Sequence, residues 1–286
     1  MPRGAAARVA IIGAGRMGQG LALALSRAGW MVILGARKRK DVVAESTLVV
    51  NDLARTIAGA EIVLLAVPDD VITELAGGLA ASGAVLPSQI FLHLSGARDR
   101  SALAPLADRA GGLGSFWPLQ TVADPARAPE QLTGAYAGIE GDAAAMAAGG
   151  RIAGALGMIA VPIPAAGKAL AHAGAVMAAN YSAALLDVAE RLARAAGIDA
   201  ALAGRVYLPL AQAALANVAS VGAMAALTGP IRRGDIETVR THLAVLTGTD
   251  RELYRVLGLE TLAVAERAGL APERAAMLRQ LLRSES

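Results

Sequence analysis

The sequence predicts an α/β domain with a doubly wound, largely parallel sheet, followed by an all-α domain. Three observations carry this. Short apolar runs alternate with helical periodicity as far as Ile163. A glycine turn joins the first strand to the first helix near the N-terminus. Beyond Pro162 and Pro164 the alternation stops and only helical patterns remain, which divides the 286 residues into 1–164 and 165–286.

The elements follow in order. Arg8–Ile12 (RVAII) is a compact apolar strand, Gly13-Ala14-Gly15-Arg16-Met17-Gly18 a turn, and Gln19–Ala28 a helix that Gly29 ends. Trp30–Leu34 is a second buried strand. Gly13 allows the tight turn, Gly15 has no Cβ to block an approaching pyrophosphate, and Gly18 lets helix and strand pack closely. The N–H groups at the helix start, near Arg16 and Met17, face the phosphate. These features together predict a Rossmann-type dinucleotide site.

The end of the second strand predicts which dinucleotide. An NAD site places Asp or Glu about 20 residues on, against the ribose 2′-OH. Here the position holds Gly35-Ala36-Arg37-Lys38-Arg39-Lys40. With no carboxylate and four successive cations, the stretch suits a 2′-phosphate: Arg37 can fork onto its oxygens while Lys38 or Arg39 adds charge. NADP is therefore the expected cofactor, a solvated basic turn being the alternative.

Asp41–Ser46 is a short helix, Leu48–Val50 a weak strand, and Asn51 or Asp52 the cap of the next helix. Glu61–Val67 is a buried strand, and Asp69 or Asp70 caps the helix running to Ala81. Ligands lie beyond the carboxyl ends of parallel strands, so Val67 and Pro68 should border the cofactor. Gln89–Leu94 and Leu113–Trp117 are further strands, and Asp124–Gln131, polar and Pro-rich, is a surface loop. Ala135–Ile139, a helix over Asp142–Leu156 and Met158–Ile163 extend the sheet. The helical half comprises Gly167–Ala196, Asp199–Val221, Asp235–Leu246, Asp250–Ala268 and Pro272–Leu282.

Composition limits the function. Cysteine is absent, which excludes disulfides, a thiol nucleophile and cysteine-bound metal. His and carboxylates show no metal-ligand spacing, so no metal is expected. A net charge of +3, scattered arginines and only two Trp, four Tyr and two Phe argue against nucleic-acid binding. The uncharged run 206–231 contains Pro209, Gln212, Asn217 and Ser220, which suits buried interface helices better than a membrane span. Without the pattern of a signal peptide at the N-terminus, the expectation is a cytoplasmic enzyme acting on a small-molecule substrate.

Four strings in order, LHLSGA (92–97), GSFWPLQT (114–121), KALAHAGAVMAANY (168–181) and LTGPIRRGD (227–235), resemble bacterial Rossmann-like proteins whose C-terminal domain is a domain of unknown function. That group is similar to deazaflavin-dependent NADP oxidoreductases and pyrroline-5-carboxylate reductase in its N-terminal half. In its helical half it resembles 6-phosphogluconate dehydrogenase and ketopantoate reductase. The resemblance implies a fold, an NADP site and a reductase-like cleft; the expected assembly is a homodimer formed through the helical domain. One departure is Trp117, where the family pattern has His in GSF-x-PLQ.

Reduction of C=O or C=N needs a proton donor or an electrophilic clamp beside the nicotinamide. Lys168 lies where relatives of similar design place a catalytic lysine, and His172 projects from the same helix face four residues on. An ammonium beside an imidazole would bring one pKa toward neutrality. The alternatives are a solvated lysine and a packing histidine. Lysine occurs only at 38, 40 and 168, which singles these positions out in an arginine-rich chain. Ser95, ending a buried strand, could meet the substrate oxygen or simply close a turn. Gln120, Asn180 and Arg233 are candidates for orienting substrate, each with a structural alternative; His93 and His242 are read as structural. The expected activity is NADPH-dependent reduction of a 2-keto acid of the ketopantoate type. Pyrroline-type imine reduction comes next, and a non-catalytic NADP(H) sensor is the rival that Trp117 favours.

Overall fold

The computed structural model describes residues 7–38 and 47–284. The helix expected over 41–46 and the cofactor candidate Arg39 lie outside the described residues. Two compact units are present, Met1–Asn180 and Tyr181–Ser286.

The first unit is built on one eight-stranded sheet of order β3-β2-β1-β4-β5-β6-β7-β8. Its strands are β1 (Arg8–Ile12), β2 (Met31–Ala36), β3 (Thr47–Val50), β4 (Ile62–Leu65), β5 (Ile90–His93), β6 (Gly112–Pro118), β7 (Tyr136–Gly141) and β8 (Ile159–Pro162). All pairings are parallel except β6 with β7. The order steps from β1 outward to β2 on one side and to β4 on the other, which opens a crevice at their carboxyl ends.

Side-chain alternation sends successive residues of each strand into two separate cores. Val9, Ile11, Ile62, Leu64 and Leu92 join one, together with Leu21 and Leu25 of α1 (Arg16–Arg27). Ala10, Ile12, Val63, Leu65 and Phe91 join the other. There they meet Ile57 of α2 (Leu53–Ile57) and Ile72 and Leu79 of α3 (Ile72–Ala81). Burial on both faces is why these strands read as unbroken apolar runs.

The segment 124–131 is not a surface loop. Asp124 accepts from the Ala126 amide at 3.0 Å and opens a 3-10 turn, Pro125–Arg127, which leads into α4 (Ala128–Leu132). Ala128 and Leu132 are fully buried, and a Cβ on Gly20 would lie 2.6 Å from the Ala128 Cβ, so α1 and α4 touch through that glycine. Proline favours the first helical turn, so the Pro-rich composition starts these short helices rather than a loop. Asp52 caps α2, accepting from Arg55 N at 2.8 Å. Asp69 and Asp70 do not cap α3; they lie in a 3-10 turn before it, and the N-cap is Val71 without a side-chain acceptor. The unit is completed by α5 (Ala143–Ala155), capped by Asp142, and by the first turns of α6 (Lys168–Ala195).

In the second unit, the single helix expected over 199–221 is two. These are α7 (Ala200–Val206), capped by Asp199, and α8 (Leu208–Ala226), separated at Tyr207 because Pro209 fits the first turn of a new helix rather than the middle of an old one. Then come α9 (Pro230–Arg233), α10 (Ile236–Val245), α11 (Gly248–Arg267) and α12 (Pro272–Arg283). Ile231, Val239, Leu243, Leu262, Leu278 and Leu282 form their core. Nothing in α8 is buried within the chain.

Candidate active site

The glycine turn has the geometry its spacing requires. Gly13 stands at φ +120°, and a Cβ there would lie 2.1 Å from the Ala66 carbonyl oxygen beyond β4. A Cβ on Gly18 would come within 1.9 Å of the Gly13 oxygen. Gly15 differs: a Cβ would meet nothing within 4 Å, so the space before it is open. Gly15 is also the N-cap of α1, with no side-chain acceptor and no acidic residue in the first turn. The N–H groups of Arg16, Met17 and Gly18 therefore begin an uncapped helix, the arrangement that takes an anion. Buried Ala14 anchors the turn, and its carbonyl accepts from the Gln19 amide at 3.1 Å. Val67 is in contact range of the turn and Pro68 is exposed beside it. Arg37 and Lys38 are exposed just past β2, on a strand end carrying no carboxylate.

The second cluster gathers where β5, β6 and β7 meet the start of α6. Lys168 is 1% exposed, and its Nζ donates to the Ser115 hydroxyl at 2.7 Å and the Ser95 carbonyl at 3.2 Å. Ser115 Oγ lies 3.5 Å from Glu140 Oε2, which also accepts from the Arg100 amide at 2.9 Å. Burial pushes Lys168 below the ordinary lysine range, opposed by Glu140, Asp99 and Asp69. Burial pushes Glu140 upward, opposed by the Arg100 amide and the Lys168 charge. The expected cause, an imidazole beside the ammonium, is replaced by desolvation.

Ser95 is buried and its hydroxyl is fully engaged. It donates to Asp69 Oδ2 at 2.6 Å and accepts from the amides of Ala97 and Arg98 at 3.2 and 2.9 Å. One donor and two lone pairs are thereby used, so Ser95 ties its loop to the 3-10 turn before α3 and has no hydroxyl valence left for a substrate. His93 is wholly buried. Its Nδ1 accepts from the Ser95 amide at 3.2 Å, which puts the ring proton on Nε2, 3.0 Å from the Asp99 carbonyl. Burial drives its pKa down to about 4 despite the Asp99 contact.

His172 is half-buried and packs edge-on against Trp117, ring centroids 5.5 Å apart. Both press on Gly96: a Cβ there would lie 2.4 Å from Trp117 and 2.7 Å from His172. The loop after β5 thus touches both α6 candidates, Lys168 through the Ser95 carbonyl and His172 through Gly96. Gln120 is occupied structurally, donating to the Gln131 carbonyl at 3.0 Å and accepting from the Thr121 amide at 2.8 Å. Asn180 is exposed on α6. Arg233 belongs to the second unit, where it pairs with Asp235 at 2.8 Å. His242 bonds the Tyr254 hydroxyl at 2.8 Å. No metal-binding group of His, Cys, Asp or Glu occurs among the described residues. Sequence reasoning missed Glu140, Asp69 and Gly96; the one available signal was a carboxylate inside the apolar strand YAGIEG.

Residues 2–114 match the family described as a Rossmann-like domain, and residues 135–261 match the Domain of unknown function DUF2520. No curated protein matches the chain. Among solved structures, an NADP oxidoreductase so named from Bacteroides fragilis superposes with a TM-score of 0.72 at 22% identity, over 92% of this chain and 99% of that one. A Thermotoga maritima protein gives 0.70 at 21%, over 91% and 98%. The NADP-bound pyrroline carboxylate reductase of Plasmodium falciparum gives 0.64 at 12%, over 96% and 98%. At these identities the likeness is one of fold.

Proposed function

The chain is a Rossmann-like protein with a C-terminal helical domain of unknown function, and from that premise we propose an NADPH-dependent reductase of a small substrate. The observation that carries the reading is the β1–α1 turn: an uncapped helix start behind open Gly15, joined to a strand end with Arg37 and Lys38 and no carboxylate. When bound, the dinucleotide supplies the hydride. The amides of Arg16, Met17 and Gly18 hold its pyrophosphate, and the guanidinium of Arg37 with Lys38 holds the 2′-phosphate. Val67 and Pro68 border it.

His172 is the proton donor in this reading, because it is the half-buried titratable group on the α6 face that meets Trp117. Trp117 packs edge-on against the imidazole and orients it. Lys168 and Ser95 are positioning residues that fix the loop carrying Gly96. The Lys168 ammonium is buried and bound to Ser115 and Ser95, so it does not serve to polarise a substrate carbonyl. That favours a neutral C=N substrate, whose nitrogen is basic enough to take the His172 proton as the bond is reduced, and the likeness to a pyrroline carboxylate reductase points the same way. Reduction of a 2-keto acid is the second reading, in which His172 alone activates the oxygen.

We also propose a homodimer through the helices. Leu210, Leu215 and Val221 of α8 are 67%, 63% and 58% exposed, and α8 carries no charge. Stretches 165–195 and 200–233 are long and apolar enough to cross a membrane. The second, however, contains Pro209, a turn at Gly222 with φ +78°, and Arg205. A second copy covers such a face without desolvating a charge. The test of activity is NADPH oxidation against a panel of cyclic imines and 2-keto acids. Turnover of an imine supports the leading reading, turnover only of keto acids the second. NADPH binding without turnover of either class supports the sensor.

A further inference from the structure

Beyond the reductase reading, and independent of it, the second unit carries an arginine-lined cleft. It is an open cleft of about 610 Å³ between α9, the turn after α11 and the start of α12. Leu227 and Leu270 form its apolar wall, and Thr228 with Arg232, Arg233 and Arg274 its polar one. The three guanidiniums are held differently. Arg233 is neutralised by Asp235. Arg232 is half-buried and anchored through one nitrogen to the Ala268 carbonyl at 3.0 Å, leaving its other donors available. Arg274 is exposed and makes no ion pair among the described residues. Its stem lies against Gly234, where a Cβ would come within 3.2 Å of the Arg274 Cβ, and Gly234 itself stands at φ +73°. Glu273 is in the first turn of α12 and does not line the cleft.

Two arginines without an acidic partner lining one amphipathic cleft supply the recognition chemistry of a dianion with a short carbon body. We infer that this cleft binds a small organic dianion, a phosphate monoester or a dicarboxylate, gripped by Arg232 and Arg274 with its carbon chain along Leu227 and Leu270. The sequence had singled out Arg233 here, but its bond to Asp235 makes it the least available of the three.

The test is calorimetric titration of the full chain, with saturating NADP+ present, using glycerol 3-phosphate, succinate and, as the uncharged control, glycerol. Binding of either dianion is expected, and whichever binds tighter identifies the headgroup. Arg274→Gln and the double variant with Arg232→Gln should lower that affinity at least about tenfold in the double variant. NADPH affinity should stay unchanged. Absence of dianion binding, equal binding of glycerol, or an undiminished affinity in the folded double variant would overturn the inference. Failure of NADPH to bind would count against the reductase reading alone, since the dianion titration is then run on the full chain without cofactor and the loss in Arg232→Gln and Arg274→Gln is read in the same way.

Discussion

Lys168 sits with its ammonium between the Ser95 carbonyl and the Ser115 hydroxyl, one hydroxyl away from Glu140. Replacing it by methionine leaves the Glu140 carboxylate and the Ser95 carbonyl without that cation. We expect Lys168→Met to cost about 3 kcal/mol in urea unfolding. His172→Asn leaves this network intact and should slow turnover about 100-fold while NADPH affinity holds. His93 supplies a pH signature. Its folded pKa, about 4, lies below its ordinary value of 6.5. Between those values the unfolded chain binds a proton that the folded chain refuses, so stability is full above about pH 6.5 and falls toward pH 4. The loss approaches about 3 kcal/mol, and His93→Gln should remove that part of the slope. Of these residues, Lys168 and His172 were legible in the sequence because they share a helix face. Their partners were not. The Ser95–Asp69 and Lys168–Ser115 bonds span 26 and 53 residues, and no local spacing encodes contacts that only the sheet order creates.

Among elements, the strands were legible because burial on both faces makes them continuous apolar runs, and the glycine turn because each glycine has its own steric reason. The misread element is α4, whose Pro and Glu content is that of a loop although Ala128 and Leu132 are fully buried. Leu132→Ala should therefore cost about 3 kcal/mol, the value of a core leucine, where a surface-loop residue would change stability by no more than about 0.5 kcal/mol. The break between α7 and α8 escaped notice for a related reason: both sides of Tyr207 are apolar, and periodicity alone does not register a proline that starts a helix.

At the scale of the whole molecule, the sheet order puts the β1 turn, the Val67–Pro68 corner and the Ser95–Gly96 loop at the carboxyl ends of adjacent strands, where a dinucleotide and its substrate meet in doubly wound folds. The apolar face of α8 belongs to this scale too. Light scattering should give twice the chain mass of 28.8 kDa, and Leu210→Glu with Leu215→Glu should shift it toward the monomer. The central claim is that the anion-ready turn and the basic end of β2 select NADPH. Its most direct test is fluorescence titration of the wild-type chain and Arg37→Ala with NADPH and NADH. Wild type should bind NADPH at least about tenfold more tightly, and Arg37→Ala should erase the difference by weakening NADPH alone. Equal affinities in the wild type, or equal losses for both cofactors in the variant, would contradict it.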